Sequence, residues 1–404
     1  MSLVTKTRAQ NNWNWNQQHY FADTNSESAG LWMSAEYEIL SNRISNEIIN
    51  QALFDGKITP DATAYLDEYI SNDYTRLSAG VSGEFWFRSA GKGNWRALVG
   101  IGFRDGAFAS ARTGLAQLYL RGNGPYEDQV MDLGFSSLVY HSYQFAGGGF
   151  ERSFESTSFG LTAHMVKSSR FTELNVDQSG LYTAPFGTSI EADLNFTYDN
   201  SDNAQGRLGA WYGPGYLING YLEHRSEKNG SLVTIQLRDI GQVFYKGVDR
   251  WKMSDSLMFN GVDADNILQL DDSLINGGSL DSLEGLLGLR QTRAFKRISM
   301  PAHVQVNYVM PMGDRSSLNV QLRQYLSMGL PELRVGYAIR LAPWFTLEPN
   351  IRAGGFSRFD VGLTAAINAK DRLSVILKTE QFETIIAPAM STSQYMFLGG
   401  QLRF

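Results

Sequence analysis

The sequence predicts an all-β fold: a transmembrane antiparallel β-barrel of about 14 strands, with a short N-terminal helical hairpin and a long acidic loop. Three observations carry that expectation. Apolar residues alternate with polar ones over run after run of roughly 9 to 12 residues, the length that crosses a bilayer when tilted. The chain holds 23 Phe, 19 Tyr and 8 Trp, although it is slightly hydrophilic, at a mean hydropathy of −0.25. No apolar run reaches the length of a membrane helix.

The alternation is plainest toward the end of the chain. In a strand successive side chains point to opposite faces, so Met396, Leu398, Gly400 and Leu402 share one face and Tyr395, Phe397, Gln401 and Arg403 the other, before Phe404. Phe359, Val361, Leu363, Ala365 and Ile367 form a wholly apolar face, against Arg358, Asp360, Thr364 and Asn368. The same rule separates Leu333, Val335, Tyr337, Ile339 and Leu341 from Arg334 and Arg340, and Ile190, Ala192, Leu194 and Phe196 from Glu191, Asp193 and Asn195. One face suits lipid and the other a polar interior.

Expected strands lie at 76–88, 94–104, 140–152, 157–168, 187–199, 215–225 and 231–240. The rest are expected at 300–311, 316–326, 331–342, 344–354, 357–368, 371–382 and 394–404. With Phe404 at the periplasmic side, the turns NAKD, APW, MGDRS and SEKNG all fall on that side. The tight turn at Glu155 falls on the other. Either residues 200–214 cross again or one strand is misplaced. Pro349 is a second weak point, because a closed barrel has no edge to excuse a missing N–H.

The strand pattern never breaks into blocks, so residues 31–404 read as one outer-membrane barrel domain. Residues 1–30 read as an N-terminal lead-in. MSLVTKTRAQ has bases but no apolar core, so it is expected to be the remnant of a signal from a shortened or misplaced start, with the mature chain beginning near Gln10. The absence of Cys excludes a disulfide scaffold and an acylated amino-terminal Cys, and leaves the redox compartment unconstrained.

Two stretches depart from the alternation. In 41–71, Ile44, Ile48 and Ala52 recur at helical spacing, a turn follows at Gly56, and Thr59-Pro60 has the cap and first-turn chemistry of a second helix. This hairpin is expected either to cap the surface or to plug the lumen. The stretch 241–299 reads as a long loop, with a leucine stripe and the acids Asp263, Asp265, Asp271, Asp272, Asp281 and Glu284.

The stretch LVTIQLRDIGQVFYKGVDRWK, with a turn at Leu237–Gly241, and the earlier YQFAGGGFERSFESTSFGLTAHM resemble an uncharacterised outer-membrane β-barrel family of the Bacteroidetes, and the plan is similar to that of fatty-acid-type transporters. The resemblance spans roughly residues 30 to 404. It implies fold and a location in the cell outer membrane of a Gram-negative organism, with no activity to carry over. Outer-membrane barrels of this kind end on an aromatic residue that the insertion machinery reads, and Phe404 fits that assembly role.

Catalysis needs a nucleophile beside a base. The five histidines, His19, His141, His164, His224 and His303, come with no Gly-x-Ser-x-Gly elbow, metal-spaced pair or phosphate loop, so no catalytic, cofactor or metal residue is assigned. Two non-enzymatic classes remain: a porin-like channel or transporter for small or hydrophobic molecules, and a structural or assembly subunit of a secretion or surface-anchoring complex. The partners expected are the bilayer, the outer-membrane insertion machinery and envelope proteins, with no nucleic acid.

The polar faces of the last six strands carry Arg323, Arg334, Arg340, Arg352, Arg358, Arg372, Lys378 and Arg403, against Glu348, Asp360 and Glu380. A basic lumen wall is therefore expected. Its like charges would repel unless something negative lay against them, and the acidic loop has the sign and length to fold in as a plug.

Overall fold

The computed structural model describes residues 29–69, 73–91, 94–201, 213–259, 290–326, 331–369, 372–380, 382 and 391–404. Within it the chain closes into a barrel of 14 antiparallel strands. The first half comprises β1 (Gly30–Ser41), β2 (Tyr74–Arg88), β3 (Trp95–Arg112), β4 (Ser136–Ser153) and β5 (Thr157–Val176). It continues with β6, in two pieces (Ile190–Asn200 and Pro214–Arg225), and the unbroken β7 (Leu232–Phe259). The second half opens with β8, again in two pieces (Arg290–Ser299 and His303–Pro311), followed by β9 (Ser316–Tyr325) and β10 (Pro331–Ala342). β11 (Phe345–Gly354), β12 (Phe359–Ala369), β13 (Leu373–Thr379) and β14 (Ser393–Arg403) complete it.

β1 closes the ring by pairing with both β2 and β14, from Gly30 opposite Arg403 to Leu40 opposite Ser393. Among the described residues the ring is continuous, which is the condition for a sheet to stand in lipid; the upper piece of β8, Arg290–Ser299, pairs with β7 alone. The outward faces are apolar where the ring is complete, as with Met396, Leu398 and Leu402 on β14 and Val99, Ile101 and Phe103 on β3. The inward faces carry most of the buried polar side chains. The chain is thus a membrane-spanning barrel with a polar interior.

The expected strand list needs two corrections that cancel in the count. Residues 30–41 form β1, which the list lacks, and 187–199 and 215–225 are not two crossings. They are pieces of the single strand β6, pairing side by side with β5 and β7. With these changes the turn at Glu155 joins the other short turns at one end of the barrel. The expected loop 241–299 is also corrected: β7 continues to Phe259 and β8 begins at Arg290. Residues 260–289, with all six acids expected to form a plug, lie outside the described residues. Pro349 is accommodated because the ladder from β11 to β10 passes from Asn350 to Leu347, skipping it, while Pro349 still sits opposite Leu363 of β12.

The segment Leu237–Gly241 is not a turn. It is a bulge inside β7, where Leu237 faces Gly220 and Ile240 faces Ile218, so Arg238 and Asp239 together oppose Asn219. Asp239 takes a left-handed backbone (φ 56°), which Asp tolerates better than most residues, and its N–H donates to Asn219 Oδ1 at 2.7 Å. The bulge buries two consecutive charged side chains in the lumen.

The connections at the end holding Gly30 and Arg403 are all short, and the long ones, 42–73, 113–135, 177–189 and 260–289 among them, lie at the other end beside the short links 326–330 and 355–358. On the long-loop end, Ser45 caps α1 (Asn46–Asn50), which runs into a π-helical turn (Gln51–Asp55) stopped by Gly56 at φ 64°. Thr59 caps α2 (Pro60–Thr63), with Pro60 in its first turn. This hairpin packs Ile48, Ala62 and Leu66 together and meets α3 (Thr113–Arg121) through Leu120 and a bond from Gln117 Nε2 to the Leu66 carbonyl at 2.8 Å. Asn46 ties it to Ser391 and Ser393, and Arg43 to Asp73 at 2.8 Å. The hairpin is a cap on the rim. Burial raises the Tyr65 phenol there above its ordinary range, outweighing the bond it receives from the Ser45 N–H.

Candidate functional site: a vestibule above a packed floor

A cavity of about 800 Å³ occupies the long-loop half of the lumen. Its walls come from β1 to β5, β7, β8 and β9, and no residue of the helical hairpin lines it. Aromatic rings form much of the lining: Tyr74, Phe108, Tyr143, Phe171, Tyr325 and Phe356. Phe108 lies 6.4 Å from Tyr325 and 5.7 Å from Phe356, ring to ring, making one aromatic corner. Charged groups stand among them, notably Glu36 and Glu38 on β1.

The floor is where the bulge of β7 matters. Glu84 on β2 accepts from Arg104 on β3 and Arg238 on β7, each at 2.6 Å, and Arg104 also reaches Asp239 at 3.2 Å. Without the extra residue in β7, Arg238 and Asp239 would face opposite sides of the sheet. Beneath them Trp86 is wholly buried against Gly100, Phe145 lies over Gly102, and Tyr221 over Gly160. A β-carbon on Gly100 would stand 2.4 Å from the Trp86 ring, so the glycine is the recess that lets the indole lie across the wall. Lower still, Glu151 holds Arg88 at 2.6 Å and Arg96 at 3.1 Å.

The expected basic wall divides. Arg323, Arg334, Arg352 and Lys378 are buried in the lumen; Arg358 is exposed at the long-loop rim, 5.5 Å from the Tyr69 ring, and at the short-turn mouth Arg372 is exposed and Arg340 and Arg403 are half-buried. The buried cations do not face one another unpaired. Arg352 reaches Asp360 and Glu380, each at 2.7 Å; Arg334 reaches Glu348 at 2.8 Å and Glu380 at 3.1 Å; and Lys378 bonds Glu380. Glu332 stands 3.8 Å from Arg323 and 3.9 Å from Arg352. The wall is therefore an interleaved ion network rather than a basic surface, and its acids come from the strands and from Glu380, directly after β13. Phe404 is exposed, and its N–H donates to the Ala29 carbonyl at 3.1 Å.

Sequence reading missed Glu332, although it lies on the polar face of an expected strand, and missed Glu36 and Glu38 because it missed β1. It did not single out the floor residues Glu84, Arg104, Arg238 and Asp239. The signal for Arg238 and Asp239 was a break in alternation at Leu237–Gly241, read as a turn.

Of the histidines, His141 comes nearest to a chemical arrangement. Its Nε2 lies 2.9 Å from Ser168 Oγ, and the Tyr245 hydroxyl contacts both. Ser168 is wholly buried, at the bulge where β4 passes from Ser142 to Tyr143, so a substrate does not reach it in this conformation. The cluster knits a bulge. Among the described residues no three His, Cys, Asp or Glu gather as metal ligands.

No protein-family model and no curated protein matches this chain. Among solved structures it is similar to a Pseudomonas aeruginosa FadL homologue, with 10% identity, a TM-score of 0.48, and coverage of 95% of this chain and 92% of that one. The Ralstonia pickettii toluene transporter TbuX is 8% identical with a TM-score of 0.45, over 94% and 90% of the two chains. The Pseudomonas putida toluene transporter TodX is 9% identical with a TM-score of 0.43, over 94% and 89%. Likenesses this distant say nothing of this chain's substrate.

Proposed function

We propose that this protein is an outer-membrane channel or transporter for small hydrophobic or amphipathic molecules, in a Gram-negative organism of the Bacteroidetes type that the sequence resembles. The short turns then face the periplasm and the long loops the outside, as such barrels prefer. The observation that carries the reading is the aromatic-lined vestibule of about 800 Å³, opening toward the long loops above a charge-paired floor. Its size is that of a small-molecule pocket, and its rings offer apolar contact where a solute enters. Passage requires the floor to part, because Trp86, Phe145 and the Glu84 ion pairs fill the section below.

Reconstitution tests this. Proteoliposomes carrying wild-type protein should take up small aromatic solutes faster than protein-free vesicles. The double variant Glu84→Gln with Arg238→Gln, which removes charge from both sides of the floor, should raise uptake by about tenfold or more, the effect of lowering a barrier by ~1.4 kcal/mol. Uptake equal to that of empty vesicles in both proteins would reject a channel. The filled lower lumen supports a second reading, a non-catalytic platform in an envelope complex. Stoichiometric partners recovered in gentle detergent, with no solute flux, would favour it.

A further inference from the structure

On the outer surface of β5 to β8, bases gather within a few residues of one another along the strands. Lys167 follows the apolar outward run Phe159, Leu161, Ala163 and Met165 on β5, and Arg170 comes next after the bulge. The pairing carries the level around the wall. Met165 pairs with Tyr216 and Lys167 with Pro214 of β6; Tyr216 pairs with Gln242 of β7; and Phe244, the next outward position of β7, pairs with Arg297 of β8. Lys246 stands one outward step above Phe244, and Arg293 pairs with Asp249. Paired residues share a face, so Lys167, Arg170, Lys246, Arg293 and Arg297 all point away from the lumen.

Their height is the second half of the argument. Ten strand residues, tilted as in such barrels, rise by about 25 Å, the height of the apolar band. Counted from Thr157 that places Lys167 at its upper boundary. Aromatic rings mark the same boundary: Tyr216 and Phe244 lie 6.4 Å apart, and the Arg170 guanidinium sits 5.3 Å from the Tyr140 ring centre. At the corresponding ends of the opposite strands the outward residues are Gln324, Leu333, Ala353 and Phe359, with no such cluster of bases among the described residues. Asp249 lies within the basic set, and Asp105 on β3 borders it, accepting from the Tyr140 hydroxyl at 3.1 Å.

We infer that this sector binds the phosphate groups of a phosphorylated glycolipid in the outer leaflet, with acyl chains against the apolar band and phosphates against the bases above it. The chemistry is that of guanidinium and ammonium groups held at the headgroup level, where an anionic phosphate is neither fully hydrated nor buried. The inference uses the orientation given above, and it holds whether or not the lumen conducts.

Native mass spectrometry of the full chain in detergent tests it, with three probes: bisphosphorylated lipid A, the same lipid dephosphorylated, and phosphatidylglycerol. Wild-type protein should retain the bisphosphorylated lipid about tenfold or more over the other two, and Lys246→Gln with Arg297→Gln should erase most of that preference, two surface charges being worth several-fold each. Arg372→Gln, at the opposite mouth, should leave it intact. Heat-modified gel migration identifies folded barrels, so a variant that fails to fold is recognised and replaced by Arg170→Gln with Arg293→Gln. Equal retention of phosphorylated and dephosphorylated lipid, equal retention of phosphatidylglycerol, or a preference unchanged in folded double variants would overturn the proposal.

Discussion

The wall built by β10 to β14 and the wall built by β2 to β8 fill the lumen in different ways. The first is short, with strands of 7 to 12 residues, and its inward faces meet in the Arg334, Arg352 and Lys378 network. The second includes strands of 18 to 28 residues, rises above the apolar band, and encloses most of the vestibule. No strand residue of β10 to β14 lines that cavity. A short wall that lies wholly within the membrane has water at neither flank, so its polar face must satisfy itself. A wall that projects beyond lipid can leave its inner face hollow.

The strongest way to break this comparison is to remove one charge from the short wall. Arg352 is 1% exposed and serves both Asp360 and Glu380, so Arg352→Leu should cost about 3–5 kcal/mol by stranding the buried Asp360 carboxylate and leaving Glu380 to Arg334 and Lys378 alone. Urea unfolding from lipid vesicles measures it, and an unchanged midpoint would show that charge pairing does not hold the short wall.

Next in size is the floor. Gly100→Leu places a branched side chain where the Trp86 ring lies, and should destabilise by about 1–3 kcal/mol through overpacking. The same substitution at Gly122, where a β-carbon would meet nothing within 4 Å but φ is 75°, should act only through backbone strain. Equal losses at the two sites would mean that the floor is not tightly packed.

The smallest effect belongs to the rim. The Tyr126 hydroxyl donates to Asp67 at 2.7 Å, and burial, then that bond, raises its pKa. Tyr126→Phe should cost about 1 kcal/mol. Because the folded value is raised, this contribution is complete below the unfolded value of about 10 and is lost as pH rises through the folded one. Hydrogen exchange around 115–133 should therefore separate the two proteins at pH 8 and bring them together at strongly alkaline pH. A gap that widens with pH would contradict the assignment.

Much of the barrel was legible in the sequence, because lipid on one side and polar packing on the other impose a strict period of two. The period fails where either solvent changes. β1 was missed because its lumen face carries Trp32 and Leu40, which blur the contrast with Met33 and Ala35. The upper parts of β3 and β7 were missed because outward residues there, such as Asp105 and Lys246, no longer touch hydrocarbon. The basic residues of the wall were legible as polar-face positions, and so were Glu348, Asp360 and Glu380 among its acids. The floor was not, since Arg238 reaches Glu84 across 154 residues and only barrel closure brings them together.

The interrupted strands have an evolutionary meaning. At Ser201 and Gly213 the two pieces of β6 both bond to β5, through the Phe171 carbonyl at 2.9 Å and the Ser168 N–H at 3.1 Å, so the chain departs from and rejoins the same wall. In a membrane barrel, an inserted strand reverses the side on which everything after it emerges. An excursion that returns to its own strand changes nothing downstream. Such a junction is a place where a lineage can lengthen or shorten its sequence freely, and where an engineered epitope should be tolerated without inverting the rest of the protein.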